Sequence, residues 1–351
     1  MNKINLKGRT DMNKAPKLQK GDKVATISLS WGGAGDLIER YNLGKQRLTE
    51  FGLEVVEMEN TLKGSKFLYE HPQKRAEDFM NAFKDPSIKG IFACIGGTDS
   101  IRLIPYIDFD VIAKNPKVFI GYSDSTVSHL MCYKAGLTSF YGPSILSDFA
   151  ENVQMFDYTK HWFEKAVFCS EPMGEITASP TWTSEFLPWE VPENAKIARK
   201  TTANEGYELL QGNGVVQGHL LGGCIEVLEN LRGTEVWPEL EKWKGAILFI
   251  EPSERRTAPL YIECWLRGLG AMGILQSING IIFGKPYDNK YYEEYKNVLL
   301  KVLKTELNLD IPILYNMNFG HAAPITTLPY GVKAEINCDK VSFSVIESAV
   351  I

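Results

Sequence analysis

The sequence predicts an α/β protein of two domains, a parallel-sheet domain followed by a strand-richer mixed α/β domain. Three observations carry that prediction. Apolar, β-prone runs alternate with helical stretches through the first half, the pattern that crossover helices impose on a parallel sheet. The alternation weakens between residues 171 and 206, where Pro172, Pro180, Pro188 and Pro192 interrupt it, and resumes afterwards with more strand than helix. The chain has 351 residues, 44% hydrophobic and 23% charged, enough for two domains of ordinary size with a large core.

Taken in order, residues 1–20 hold six basic side chains against the single acid Asp11 and lack the apolar run of a signal peptide, so they read as a flexible basic leader. Residues 21–170 read as the first domain. It has strands over 23–30, 53–58, 88–95 and 117–120, and helices over 35–51, 75–83 and 126–134, with a further helix starting at 100–104. Gly136 closes the 126–134 helix in the position a helix C-terminus favours. Residues 171–206, which carry Trp182, Phe186 and Trp189, read as a linker or mobile loop. Residues 207–351 form the second domain, with strands over 214–221, 246–250, 280–283 and 333–337 and helices over 224–231, 259–269 and 291–303.

Composition narrows the function. A net charge of −5 argues against a nucleic-acid partner, which calls for a concentrated basic surface. The longest apolar runs, 245–250 and 278–283, fall far short of the roughly 20 residues that span a bilayer. Six cysteines (Cys94, Cys132, Cys169, Cys224, Cys264, Cys338) form no CxxC pair, which suits a reducing cytoplasm and argues against structural zinc.

The chemistry-bearing candidates lie where strands end. The run Val118-Phe119-Ile120-Gly121-Tyr122-Ser123 brings a buried strand to a serine two places after a small residue, with a helix following at once. Such a turn lifts a hydroxyl out of the sheet and leaves the Asp124 N–H near a developing oxyanion. The local pattern alone leaves nucleophile and helix cap equally open for Ser123 or Asp124. His321 sits in the small-residue loop Gly320-His321-Ala322-Ala323, while His71, His129, His161 and His219 read as structural. Glu251 ends the apolar run 246–250, where α/β proteins place functional groups, or else it pairs with Arg255 or Arg256. Gly96 and Gly97 end another strand and offer further oxyanion donors. The stretch Gly32-Gly33-Ala34-Gly35 lacks the G-x-G-x-x-G spacing of a dinucleotide site.

Together, GYSDST at 121–126, IGGTDS at 95–100, LFIEPSE at 248–254 and NFGHAAP at 318–324, supported by LLGGC at 220–224 and IIFGKP at 281–286, resemble the LD-carboxypeptidase family of serine peptidases. The glutamate segment and the Trp-bearing stretch 180–185 are more similar to the microcin C self-immunity branch than to the peptidoglycan-recycling branch. The resemblance implies Ser123 as nucleophile, His321 as general base, Glu251 as the acid that orients the imidazole, and the N–H groups of Gly97 and Asp124 as oxyanion donors. It also implies a flavodoxin-like N-terminal domain, an active site at the domain junction, a homodimer, and no metal or organic cofactor.

For the substrate, the resemblance implies a small peptide-like molecule or an aminoacyl nucleotide whose amide-type bond is cut. Gly96, Trp182 and Cys224 are the expected substrate contacts. Trp182, ahead of Trp189, would stack on the nucleobase, and Cys224 stands where many relatives carry asparagine. Pro252 likewise replaces a residue that is often polar in relatives. Two other functions fit the same residues: removal of the terminal D-alanine from a murein tetrapeptide, and a non-catalytic nucleotide-binding module.

Overall fold

The computed structural model describes residues 12–351. Residues 1–11 of the expected leader lie outside the described residues. Residues 12–20 correct that expectation, because they pack onto the body. Ala15 and Leu18 are buried, the Lys17 N–H donates to the Ile351 carbonyl and the Leu18 N–H to that of Val167, and Lys14 pairs with Glu347.

The expected parallel sheet is present in the first half. Strands β1 (Lys23–Ile27), β2 (Glu54–Glu57), β3 (Ile88–Ala93), β4 (Val118–Gly121) and β5 (Phe140–Tyr141) run parallel in the order β2-β1-β3-β4-β5, the flavodoxin-like order. Parallel strands covered on both faces need apolar side chains throughout, and every residue of β4 is buried. The helix Pro72–Lys84 starts on a proline that suits its first turn and buries Ala76, Phe79, Met80 and Phe83, an i, i+3, i+4, i+7 face, against this sheet. Where residues 100–104 suggest a helix, the chain forms a 3₁₀ segment, Ser100–Tyr106. Pro105, without an N–H to give, sits inside it.

The second half is strand-rich and mixed, as expected. Strands β6 (Gly174–Glu175), β7 (Thr181–Trp182) and β8 (Thr202–Ala203) are short, and β7 and β8 pair only with each other. Then come β9 (Glu208–Gln211), β10 (Val215–Cys224), β11 (Ile247–Glu251), β12 (Gly280–Gly284), β13 (Ile313–Met317), β14 (Leu328–Pro329), β15 (Lys333–Asn337) and β16 (Ser342–Val345). The large sheet runs β6-β16-β15-β10-β11-β12-β13-β9, with β10 to β13 parallel at its centre.

Two features bring the halves together. Strand β14, late in the chain, pairs antiparallel with β5 and completes the edge of the first sheet. The C-terminal ends of β4 and β11 then meet through the hydroxyl of Tyr141, which donates to Glu251 Oε1 at 2.6 Å and accepts the Ser123 N–H at 3.1 Å. No helix among the described residues is long and apolar enough to cross a membrane.

Candidate active site

The turn after β4 is tight because glycine stands at its start. A Cβ on Gly121 would lie 2.7 Å from both Ala93 Cβ and Ser125 Oγ, so any side chain there would push the turn off β3. Ser123 follows with φ +60, the left-handed region that non-glycine residues seldom adopt. The Tyr141 hydroxyl holds its N–H, and Thr126 Oγ1 donates to its carbonyl at 2.7 Å. Neither Ser123 nor Asp124 caps the helix that follows. The capping alternative is therefore not what this turn adopts, and the Ser123 hydroxyl instead faces an imidazole.

That imidazole is His321, in the loop after β13. Its Nε2 lies 3.0 Å from Ser123 Oγ and its Nδ1 lies 2.8 Å from Glu251 Oε2. Glu251 is the last residue of β11 and fully buried. The loop is compact because Gly320, at φ +98, packs onto that carboxylate. A Cβ there would lie 2.7 Å from Glu251 Oε2. Alcohol, imidazole and carboxylate, separated by up to 198 positions in the sequence, thus lie in hydrogen-bonding series.

Burial disfavours the imidazolium form of His321. The Glu251 carboxylate, joined by Glu254 and Glu226, outweighs burial and raises the His321 pKa to about 9. Glu254 was not among the expected site residues. Its Oε2 lies 3.1 Å from His321 Nε2, on the side that also faces Ser123. Glu226 holds the loop that carries Glu254, since its carboxylate accepts the Ser253 N–H and hydroxyl at 3.1 and 2.9 Å and the Thr257 hydroxyl.

The glycine pair lies against the same serine. A Cβ on Gly96 would sit 3.1 Å from Ser123 Oγ and 3.2 Å from Asp124 N, so a bare backbone is what keeps this space open. Gly97, at φ +150, has no room for a side chain, because a Cβ would meet Ser30 Oγ at 2.2 Å. The loop is fixed from below. Asp124 turns its carboxylate into the protein, accepting from Ser30 Oγ at 2.6 Å and from the Ser100 N–H at 3.0 Å. Buried Arg75 forms a two-pronged pair with Asp99 at 2.8 and 3.0 Å.

A cavity of about 390 Å³ opens over Ser123, with His321, Gly96 and Gly97 in its wall. Its farther walls include Trp31, Phe186, Trp189, Arg199 and Arg255. Two of the expected contacts do not line this cavity. Trp182 lies away from the cavity and is 9% exposed, with the Lys285 ammonium 4.1 Å from its ring centroid. Trp189 is the tryptophan of that segment that lines the cavity, packed against Phe186 at 5.7 Å and against the Arg40 guanidinium at 5.0 Å. Cys224 is also buried away from the cavity, and its thiol donates to Glu226 Oε2 at 3.1 Å.

The remaining histidines occupy other surroundings. His129 is buried between the Gly121 carbonyl and Ser139 Oγ, and burial lowers its pKa to about 3, so it stays neutral. His71 stacks on Phe67, His161 packs on Trp162, and His219 bonds the Lys242 carbonyl. Among the described residues no three His, Cys, Asp or Glu side chains cluster as a metal site would require. Tyr141, Glu226 and Glu254 were missed from sequence. The one local signal was the second acid of LFIEPSE.

Comparison with known proteins places this geometry in context. The model of the LD-carboxypeptidase N-terminal domain matches residues 24–142, and that of the C-terminal domain matches residues 217–336. A Vibrio cholerae protein that carries a carboxypeptidase name is 31% identical over 334 residues, covering 94% of this chain and 96% of its own. The microcin C7 self-immunity protein MccF of Escherichia coli is 32% identical over 342 residues, with 95% of each chain covered. Among solved structures, an MccF-like protein of Streptococcus pneumoniae in complex with AMP superposes with a TM-score of 0.85 at 36% identity, over 92% of this chain and 98% of its own. MccF itself has been solved with glutamyl sulfamoyl guanosine and with aspartyl sulfamoyl adenosine, at TM-scores of 0.82.

Proposed function

The chain belongs to the LD-carboxypeptidase family of peptidases, and from that membership and the site's geometry we propose that it is a serine hydrolase cleaving the amide-type bond of aminoacyl-nucleotide substrates. The observation that carries the reading is the series Ser123 Oγ, His321 Nε2, His321 Nδ1, Glu251 Oε2, at 3.0 and 2.8 Å, opening on a cavity. His321 takes the Ser123 proton as Oγ attacks the scissile carbonyl. Glu251 holds the ring with Nδ1 protonated and stabilises the imidazolium that forms. The N–H groups of Gly97 and Asp124 hold the oxyanion, which collapses to an acyl-enzyme as the leaving group takes a proton from His321. Water activated by the same imidazole then releases the acid.

The aminoacyl-nucleotide reading is supported by the nucleotide complexes of the MccF relatives and by the aromatic wall of Trp189, Phe186 and Trp31. A second reading, removal of the terminal D-alanine from a murein tetrapeptide, is favoured by the description of the matching family models. The proposal also includes a cytoplasmic setting, a homodimer, and the division into a nucleophile domain over 21–170 and a domain over 207–351 that carries Glu251 and His321. Its test is an aminoacyl-sulfamoyl adenylate and a murein tetrapeptide assayed side by side with wild type and Ser123→Ala. We expect turnover of the first substrate and a loss of roughly 10⁴-fold in the variant. A Ser123→Ala protein that keeps near wild-type turnover overturns the assignment, and exclusive cleavage of the tetrapeptide moves the substrate to the second reading.

A further inference from the structure

We infer that Glu254 is a positioning residue for this reaction: its carboxylate, shared with Ser123 on the Nε2 edge of His321, keeps the base protonated in the empty site. The inference rests on the reading of His321 as general base. It begins with two distances on one atom, 3.0 Å from Nε2 to Ser123 Oγ and 3.1 Å from Nε2 to Glu254 Oε2. A neutral ring with a bare Nε2 can accept from the serine, but it then turns its lone pair toward a carboxylate oxygen that has no proton to give. A protonated ring donates Nε2–H to Ser123 and sets its positive charge 3.1 Å from the Glu254 carboxylate. The geometry with Glu254 in place therefore belongs to the imidazolium form, with Nδ1–H on Glu251, Nε2–H on Ser123 and the Glu254 carboxylate paired with the ring by charge.

The arrangement is built rather than incidental. The ligands of Glu226, Ser253 and Thr257, lie on either side of Glu254 and fix the loop that presents it. The Glu254 side chain itself is 55% exposed and lines the cavity, so an entering substrate meets it. The groups facing His321 are Glu251 at the end of β11, Glu254 on the loop beyond it, Glu226 from the helix Ile225–Leu231, and the Tyr122 ring at 5.2 Å from the β4 turn. Three of the four are acids, and the raised pKa of His321 agrees with the geometry. The ring is therefore held mainly as the imidazolium at neutral pH. Activation needs one proton to leave Nε2. It is released to bulk water at the mouth of the cavity, and no other bond changes.

The experiment is Glu254→Gln, read in two ways. Histidine-labelled NMR follows the His321 titration in the ligand-free protein, with the resonance identified by its loss in His321→Asn. The pH profile of kcat/KM is measured on an aminoacyl-sulfamoyl adenylate. Removing the charge lowers the His321 pKa, so the NMR midpoint and the acid limb should both move down by roughly half to one pH unit. In that case kcat/KM at pH 7 rises roughly 3- to 10-fold, and the two proteins converge at alkaline pH. An unchanged midpoint, or kcat/KM lowered equally at every pH, refutes the role given to Glu254. A midpoint that moves while the acid limb stays fixed refutes instead the assignment of His321 as the base.

Discussion

Replacing Glu251 by glutamine tests the orienting acid at one atom. The carboxylate is fully buried and accepts from two donors, His321 Nδ1 at 2.8 Å and the Tyr141 hydroxyl at 2.6 Å. A glutamine amide has one acceptor oxygen for those two positions. If its oxygen faces Tyr141, its NH₂ faces Nδ1, and the ring must carry its proton on Nε2, where it cannot accept from Ser123. If its oxygen faces Nδ1, its NH₂ meets the Tyr141 oxygen, which already accepts the Ser123 N–H at 3.1 Å. That tyrosine hydrogen then loses its acceptor. The first orientation satisfies more hydrogen bonds and gives the wrong tautomer, for which triads lose about 10⁴-fold in kcat, or about 5 kcal/mol of transition-state stabilisation. The assay is the single-turnover rate of Ser123 phosphonylation by a fluorophosphonate or of its acylation by an aminoacyl-sulfamoyl adenylate, with thermal unfolding as the control for folding. A folded Glu251→Gln protein whose Ser123 reacts within tenfold of the wild-type rate would refute the reasoning.

Two further outcomes follow from the aromatic segment and the lysine beneath it. Trp189→Ala should raise KM for an aminoacyl-sulfamoyl adenylate by roughly 10- to 100-fold, the equivalent of about 1–3 kcal/mol of base stacking. Trp182→Ala should leave that KM within about twofold and lower Tm instead, since it removes a buried indole; the reverse pattern restores Trp182 as the stacking residue. Lys285 is 4% exposed, bonded to Asn316 Oδ1 at 3.0 Å, and burial lowers its pKa to about 8. A depressed lysine pKa means that the folded state is penalised below about 8, where the group is charged in both states, and relieved as pH rises through it. Lys285→Met should therefore raise Tm at pH 6, by more than at pH 9; a gain that is equal at both values refutes the account.

The parallel strands were legible because burial on both faces writes them as unbroken apolar runs. Residues 246–250 and 280–283 predicted β11 and β12 to within a residue or two. Strand β13 was not anticipated, since Asn316 interrupts its five-residue apolar run. Nor was the pairing of β14 with β5, which joins segments nearly two hundred positions apart and leaves no local trace. The two tryptophans show the same limit. Composition marks the segment from 171 to 206 as aromatic, but which ring faces the cavity depends on register. Thr183 and Ala323 exchange backbone hydrogen bonds at 2.7 and 2.9 Å, fixing the strand beside the His321 loop. Trp182, one residue earlier, packs over Lys285 instead of the cavity.

The site was legible at the ends of strands and illegible in what supports it. Ser123, Glu251 and His321 stood out because each follows or interrupts an apolar or glycine-lined run. Tyr141 and Glu226 look ordinary in sequence, and their roles come from tertiary contacts. Sequence also left Glu251 open to an ion pair with Arg255 or Arg256. In the structure Arg256 pairs with Asp288 at 2.6 Å and Arg255 lines the cavity, so Glu251 meets only Tyr141 and His321 through its hydrogen bonds. A fully buried carboxylate is costly without a compensating charge. The tyrosine hydroxyl supplies a hydrogen bond but no charge, which leaves the imidazolium to supply it. The burial that orients His321 therefore also favours its protonated form, and Glu254 on the opposite edge adds to that bias. A site built this way gains a well-placed base at the expense of free base at neutral pH. A substrate that turns Glu254 aside would remove part of that bias as it binds.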